Sequence, residues 1–323
     1  MNKEKIISKF KELRPKYERL ANEISEGLKT KIDKAGIRIT PLVWRVKTAD
    51  SLLNKIKRKE YSEPLSEITD LAGVRVVCMY ESDIKRLEQM IQEEFNVCER
   101  VDKYKEAGSD KMGYLGIHFV VQLKENYSGP RYDGLHVLKC EIQVRTILQD
   151  AWALISHHLV YKDESSIPNK IKRDLNNVAS LLEIAQGVFD SSREKIETYV
   201  SEIHKKQETP NEFLSQPVDF ETLYAYTQWK YKGLPVSEKW HNRLLLDLDL
   251  KKYLTLKKID EVVEKTKDAV MAYQKENPDW FKTGTAYITK SLGFGDLEFR
   301  RKHPFGQKTR DAFPKYEHLI KDR

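Results

Sequence analysis

The sequence has few cysteines and no long apolar run, and both absences narrow the class of protein. Its three cysteines, Cys78, Cys98 and Cys140, show no CxxC spacing, which argues against a zinc site and favours a reducing compartment. Each lies in an apolar, strand-like stretch, so we expect buried thiols. No stretch approaches the ~20 apolar residues that span a bilayer, and the N-terminus has no apolar signal core. We therefore expect a cytoplasmic protein with no membrane partner.

Two common nucleotide-binding motifs are also missing. The chain contains neither a P-loop (GxxxxGK[ST]) nor a GxGxxG fingerprint, so any phosphate chemistry must be built from other parts. The net charge of +7 over 323 residues favours polyanionic partners such as nucleotides or RNA, although a lysine-rich surface alone would explain it equally well.

The pattern of apolar residues predicts an α+β protein. Helical spacing marks 1–35 and 169–205, and strands are predicted at 73–80, 95–104, 116–123 and 135–146. This order favours a sheet of mixed strand direction over a doubly wound one. The polar, proline-containing stretch 206–215 is predicted to be a linker between a 1–205 domain and a mainly helical 216–323 domain.

The most informative segment is 139–146, which alternates strictly between polar and apolar residues. Because a strand has a side-chain period of two, its apolar set can face a core while its polar set shares the other face. The apolar set is Cys140, Ile142 and Val144, and the polar set is Glu141, Gln143 and Arg145. An acid, an amide and a guanidinium in one row form a surface suited to phosphate and metal chemistry.

Three other segments supply matching residues near predicted strands. Asp70 comes just before the first predicted strand, 73–80. Together with Glu141 it gives two carboxylates near strands, and such a pair can hold Mg²⁺ together with phosphate oxygens. Clustered Arg and Lys can neutralise a triphosphate, and an exposed Tyr in a glycine-flanked loop can stack on a base. Each residue alone more often has a structural role, so the conjunction carries the prediction. The further candidates are Arg45, Lys47, Lys55, Arg58, Arg75, Lys111, Tyr114 and His118.

Four segments, in their order along the chain, closely resemble the synthetase domain of RelA/SpoT-type alarmone synthetases. They are RVKTADSLLNKIKRK, ITDLAGVRVVCMYESDI, GYLGIH and EIQVRTILQDAWALISHHLVYK. The layout is most similar to that of the small synthetases. The resemblance implies a nucleotidyltransferase-like mixed β-sheet flanked by helices, here with a C-terminal mainly helical extension. It also implies transfer of the β,γ-pyrophosphate of ATP to the 3′-hydroxyl of GTP or GDP, giving (p)ppGpp and AMP. Hydrolysis of the product in this family needs a metal site with a His-Asp dipeptide. Because the chain has no such dipeptide, we expect it to synthesise the alarmone and not to degrade it.

The resemblance also implies residue roles. Asp70 is expected to bind Mg²⁺, and Glu141 to act as a second acidic group that orients the metal or deprotonates the 3′-hydroxyl. The expected ATP contacts are Arg45, Lys47, Lys55, Arg58 and Arg75. The expected acceptor contacts are Lys111, Tyr114, His118, Gln143 and Arg145.

The acceptor side departs from the family pattern. Leu115 and Gly116 stand where a polar residue and a serine are usual, and Ser156 replaces a common Glu. An alternative acceptor is therefore the 3′-CCA end of tRNA, as in toxic small synthetases of toxin–antitoxin and phage-defence systems, or an adenosine nucleotide. An inactive RNA- or protein-binding regulator is a third interpretation, although retention of two carboxylates counts against it. If the chain belongs with the toxic synthetases, residues 216–323 are expected to be regulatory and to respond to a protein antitoxin or a phage trigger. A homo-oligomer is compatible with the family.

Overall fold

A computed structural model describes residues 3–103, 116–159 and 168–321. The chain forms two compact units, Met1–Arg193 and Glu194–Arg323. The division falls inside one long helix, and the domain limits predicted from the sequence stay a prediction.

The first unit is built on a five-stranded mixed sheet with the order β1-β2-β5-β4-β3. Strands β2 and β5 are parallel, and the other neighbouring pairs are antiparallel. The strands are β1 (Val43–Val46), β2 (Ala72–Cys78), β3 (Phe95–Asp102), β4 (Ile117–Leu123) and β5 (Cys140–Thr146). The predicted α+β fold with a mixed sheet flanked by helices is confirmed.

Helices cover one face of this sheet and leave polar residues on the other. The apolar stripe of α1 buries Phe10, Leu20 and Ile24 in one core with Val74 of β2 and Ile142 of β5. The helices that include residues of this unit are α1 (Lys3–Lys34), α2 (Ala49–Arg58), α3 (Pro64–Glu67), α4 (Ser82–Glu94), α5 (Ile147–Leu159) and α6 (Asn169–Lys206). Thr48 caps α2, because its side chain accepts a hydrogen bond from the backbone N–H of Ser51.

The second unit is helical, which confirms the predicted character of the C-terminal part. Its core is rich in aromatic side chains, among them Tyr226, Tyr273, Phe294 and Phe313. Its remaining helices are α7 (Pro210–Leu214), α8 (Phe220–Lys230), α9 (Glu238–Asp247), α10 (Leu256–Lys265), α11 (Lys267–Glu276), α12 (Gly284–Gly295), α13 (Leu297–Lys302) and α14 (Gln307–Tyr316).

The expectation of buried thiols is wrong for one cysteine. Cys78 and Cys140 are buried, but Cys98 is exposed. Counting from buried Phe95, a period of two places Cys98 on the same side of β3 as exposed Asn96. The register between β3 and β4 also shifts between Val97 and Glu99, so Cys98 is the extra residue of a β-bulge. Among the described residues, no helix is both long enough and apolar enough to cross a membrane.

Candidate active site

The polar face of β5 lies where the sequence predicts it. Cys140, Ile142 and Val144 are fully buried, whereas the side chains of Glu141 and Arg145 keep 18% and 12% of their surface exposed. Register then adds neighbours to this face. On parallel β2, Gly73 lies opposite Glu141 and Arg75 opposite Gln143, and on antiparallel β4, His118 lies opposite Gln143.

The carboxylate of Glu141 contacts two side chains on the same face of the sheet, His118 of β4 and Gln143 of β5. Its Oε1 lies 3.0 Å from Nδ1 of His118, and its Oε2 accepts a hydrogen bond of 2.6 Å from Nε2 of Gln143. Burial opposes ionisation, but the hydrogen bond and charge of His118, the Gln143 amide and the charge of Lys55 outweigh it and lower the pKa of Glu141 to about 2. Glu141 is therefore a carboxylate at every physiological pH.

This ionisation state fixes the proton on His118. An ionised carboxylate only accepts hydrogen bonds, so the Nδ1 atom that contacts Glu141 must carry a hydrogen. In a neutral imidazole the remaining Nε2 is then a proton acceptor. The pair thus has the arrangement in which a buried carboxylate orients a histidine.

Asp70 lies between two ammonium groups. It belongs to the turn that leads into β2, and its Oδ2 and Oδ1 lie 2.9 Å from Nζ of Lys47 and 2.8 Å from Nζ of Lys55, respectively. The backbone N–H of Lys47 donates to the carbonyl of Leu71, which ties the start of α2 to the same turn. Oδ1 of Asp70 is buried. Its contact with Lys55 is an ion pair by distance, but its angles are not those of a hydrogen bond.

Asp150 is a site residue that sequence reasoning missed. It lies in the first turn of α5, where a lone acid usually signals only a favourable helix start. Its Oδ1 lies 3.3 Å from a terminal nitrogen of Arg75 and 3.4 Å from one of Arg145. Burial and the nearby charge of Arg75 lower the pKa of Arg145, which the charge of Asp150 opposes. Nε of Arg145 is buried without a hydrogen-bond partner.

Most of the predicted donor-side residues meet in one cleft. Lys55 joins it through its ion pair with Asp70, whereas Arg58 is exposed in the last turn of α2. The two acceptor candidates Lys111 and Tyr114 lie outside the described residues. The cleft is lined by Val43, Arg45, Lys47, Asp70, Gly73, Val74, Arg75, Glu141 and Gln143.

The donor set of this cleft fits a hard divalent cation shared with a substrate. Within residues 3–103, 116–159 and 168–321, no group of three or more His, Cys, Asp and Glu side chains could hold a metal by itself. Mg²⁺ commonly uses only one or two carboxylates and completes its shell with phosphate oxygens and water. The buried Oδ1 of Asp70 without a hydrogen bond and the ionised Glu141 are oxygens of that kind.

The departure at Gly116 has a steric cause. A Cβ atom at this position would lie 2.1 Å from the carbonyl oxygen of Val144 and 2.5 Å from Cγ of Arg145. No side chain fits between β4 and β5 there, so a serine in this backbone position would collide with β5.

Part of the first unit is similar in sequence to known proteins. Residues 44–166 match the model of a "Region found in RelA / SpoT proteins". The GTP pyrophosphokinase YjbM of Bacillus subtilis (strain 168) is 37% identical over 141 residues, which span 42% of this chain and 63% of that protein. The GTP pyrophosphokinase YwaC of the same strain is 29% identical over 143 residues, 42% of this chain and 65% of that protein. Each match therefore spans less than two thirds of the relative.

Solved structures of small synthetases also align with the chain. A GTP pyrophosphokinase family protein from Streptococcus pneumoniae is 23% identical with a TM-score of 0.49, over 59% of this chain and 96% of that one. Small alarmone synthetase 1 from Bacillus subtilis, bound to its product pppGpp, is 24% identical with a TM-score of 0.48, over 59% of this chain and 99% of that one.

Proposed function

We propose that the protein transfers the β,γ-pyrophosphate of ATP to the 3′-hydroxyl of GTP or GDP, because residues 44–166 match the model of a region found in RelA/SpoT proteins. The 3′-oxygen attacks the β-phosphorus, the bond from that phosphorus to the α,β-bridging oxygen breaks, and AMP leaves. The observation that carries this proposal is one cleft in which Asp70 and Glu141 lie among Lys47 and Arg75. The two curated relatives, which are GTP pyrophosphokinases, support it.

The cationic side chains of the cleft are suited to bind the triphosphate of ATP. Arg45, Lys47 and Arg75 line it, and Lys55 reaches it through Asp70. A triphosphate can take over the ammonium groups that pair with Asp70 and so release that carboxylate. Mg²⁺, held by Asp70 and Glu141 together with phosphate oxygens, would neutralise the charge on the transferred group.

The low pKa of Glu141 supports one of its two implied roles. A carboxylate with a pKa of about 2 is a weak proton acceptor near pH 7, where a general base works best with a pKa close to the operating pH. Glu141 is better suited to supply negative charge and to orient His118 through the contact between Oε1 and Nδ1. In its neutral form with the hydrogen on Nδ1, His118 offers Nε2 as a candidate acceptor for the proton of the 3′-hydroxyl.

A labelled-donor assay tests the reaction and its acceptor. The protein is incubated with Mg²⁺ and γ-labelled ATP, and GTP, GDP, ATP or deacylated tRNA is added in turn. We expect label on the guanosine nucleotide with equal release of AMP, and loss of label transfer in Asp70→Asn but not in the exposed matched variant Asp174→Asn. Label on tRNA would replace the guanosine acceptor by a tRNA end. No labelled product from any acceptor would refute the proposal.

A second variant pair tests the donor side. Lys55→Met removes an ammonium group 2.8 Å from Asp70, whereas Lys57→Met removes one from an exposed position of the same helix. We expect the first change to raise KM for ATP about tenfold, roughly one lost charge-assisted contact of 1.4 kcal/mol, with little change in KM for the acceptor. If the two changes raise KM for ATP equally, Lys55 is not a contact of the ATP site.

A further inference from the structure

The second unit contains a cavity that the proposed reaction does not use. It has a volume of about 340 Å³, within the range of small-molecule sites. All the residues that line it belong to the segment 240–306 and thus to the second unit. Among them are Trp240 of α9, Lys290 of α12, Trp280 of the short 3₁₀ helix Pro278–Trp280, and His303 and Phe305 of the segment between α13 and α14.

Two indole rings stand at this cavity with much of their surface exposed. Trp240 is 49% and Trp280 is 37% exposed, although the unit buries most of its other large aromatic side chains. Phe305 adds a third ring, which is buried. Planar, partly exposed aromatic walls can stack on a planar ring, and such contacts stabilise a complex beyond the burial of area alone.

Lys290 gives the cavity its charge. Its Nζ lies 5.3 Å from the ring centroid of Phe305, and no ion pair with a carboxylate is found for it in the described part of the chain. Burial lowers the pKa of Lys290 to about 8, which shows that its charged form is poorly solvated. The other lysine of the lining, Lys282, already pairs with Asp279 at 2.9 Å.

Asp247, a buried carboxylate in contact with His303 of the cavity, also pairs with an arginine. Asp247 lies 2.7 Å from Nδ1 of His303 and 2.8 Å from Nε of Arg243. Burial lowers the pKa of His303 in spite of Asp247, and the charge of Lys290 lowers it further. His303 is therefore neutral near pH 7, and Lys290 contributes an unbalanced cation to an aromatic cavity.

We propose that this cavity binds a small molecule that joins a planar aromatic ring to an anionic group, with the ring against Trp240 or Trp280 and the anion at Lys290. Nucleoside monophosphates and aromatic carboxylates both have this chemistry. The anion would return to Lys290 the solvation that burial removes, and the ring would cover the exposed indoles.

Fluorine NMR of the full chain labelled with 5-fluorotryptophan tests the proposal. The chain has five tryptophans, and the resonances of Trp240 and Trp280 are assigned with Trp240→Phe and Trp280→Phe. AMP and indole-3-acetate are titrated separately, and we expect saturable shifts of these two resonances with at least one of the probes. The probe that binds tells whether the anion is a phosphate or a carboxylate. Shifts confined to the resonances of the other three tryptophans would report binding elsewhere and would overturn the proposal, as would no shift.

Variants of the lysine decide whether it holds the anion. We expect Lys290→Met and Lys290→Gln to weaken binding at least tenfold, whereas Lys275→Met, at an exposed position of α11, changes it less than twofold. If one variant fails to fold, the other supplies the measurement. Binding should also weaken about tenfold from pH 7 to pH 9 as Lys290 loses its charge, and the variants should lack this dependence. Unchanged affinity in the variants would refute the assignment of Lys290.

Discussion

Replacing Glu141 with glutamine removes its negative charge while keeping nearly the same side-chain shape. The wild-type carboxylate accepts from Gln143 and contacts Nδ1 of His118. An amide offers only one oxygen, so one of these two donors loses its acceptor, a defect that costs about 1–3 kcal/mol in a buried position. The stability of the first unit should therefore respond to this single change.

The pKa of Glu141 gives an independent magnitude and a sign. A shift from 4.5 to about 2 corresponds to about 3 kcal/mol of free energy of unfolding, an order-of-magnitude value for a side chain that is 18% exposed. Because the folded-state pKa is the lower one, this contribution is fully present above pH 4.5 and is lost as the pH falls toward 2. Glu141→Gln should therefore be less stable than wild type by about 2–3 kcal/mol at pH 7, and the difference should shrink below pH 4.5.

Urea unfolding followed by far-UV circular dichroism at pH 7, 5, 4 and 3 measures this difference. The matched control is Glu99→Gln, the same chemical change at an exposed position of β3 in the same sheet, which should stay within about 0.5 kcal/mol of wild type at each pH. Activity should separate the two variants as well, with a loss of at least 100-fold in kcat/KM for Glu141→Gln alone. Parallel pH curves for wild type and Glu141→Gln would refute the argument that Glu141 is stabilised as a carboxylate.

Two further changes test the packing around the site. Asp150→Asn removes the carboxylate that separates two guanidinium groups, so we expect urea unfolding to show a loss of about 1–3 kcal/mol, between the values for exposed and fully buried pairs. Asp174→Asn, the same change at an exposed position of α6, should leave the free energy of unfolding within about 0.5 kcal/mol of wild type. Gly116→Ala places a Cβ atom 2.1 Å from the carbonyl oxygen of Val144, so the free energy of unfolding in urea should fall by more than about 2 kcal/mol. In the control, Gly187→Ala, the new Cβ meets no atom in the middle of α6, and the free energy of unfolding should rise by about 0.5–1 kcal/mol. A Gly116→Ala variant as stable as wild type would show that β4 and β5 do not approach each other this closely.

Local periodicity predicted the parts of the structure that depend on neighbours along the chain. The alternation of 139–146 placed Glu141 and Arg145 on one face and Ile142 in the core, and the structure confirms this arrangement. The helical spacing near the N-terminus likewise predicted α1, observed from Lys3 to Lys34. A period of two or of 3.6 residues is set by backbone geometry, so it can be read before any tertiary contact is known.

Contacts between distant segments could not be predicted in the same way. Asp150 meets Arg75 only because β2 and β5 are parallel neighbours and α5 follows directly after β5. The β-bulge at Cys98 depends on how β3 pairs with β4, and the need for glycine at position 116 depends on how near β5 passes. In each case the deciding partner lies on another strand or helix, and the residue itself gives no local signal.

The position of Asp150 has a consequence for the choice of donor. Its Oδ1 lies within 3.4 Å of both Arg75 and Arg145, so an anion that binds these arginines must compete with a carboxylate already in contact. A singly or doubly charged anion gains little over that carboxylate, whereas a triphosphate can displace it and still engage Lys47 and Arg45 of the same cleft. We infer that inorganic phosphate should compete weakly with ATP in wild type and more strongly in Asp150→Asn, which inhibition constants for phosphate can measure. Equal inhibition in the two proteins would show that Asp150 does not guard the arginines.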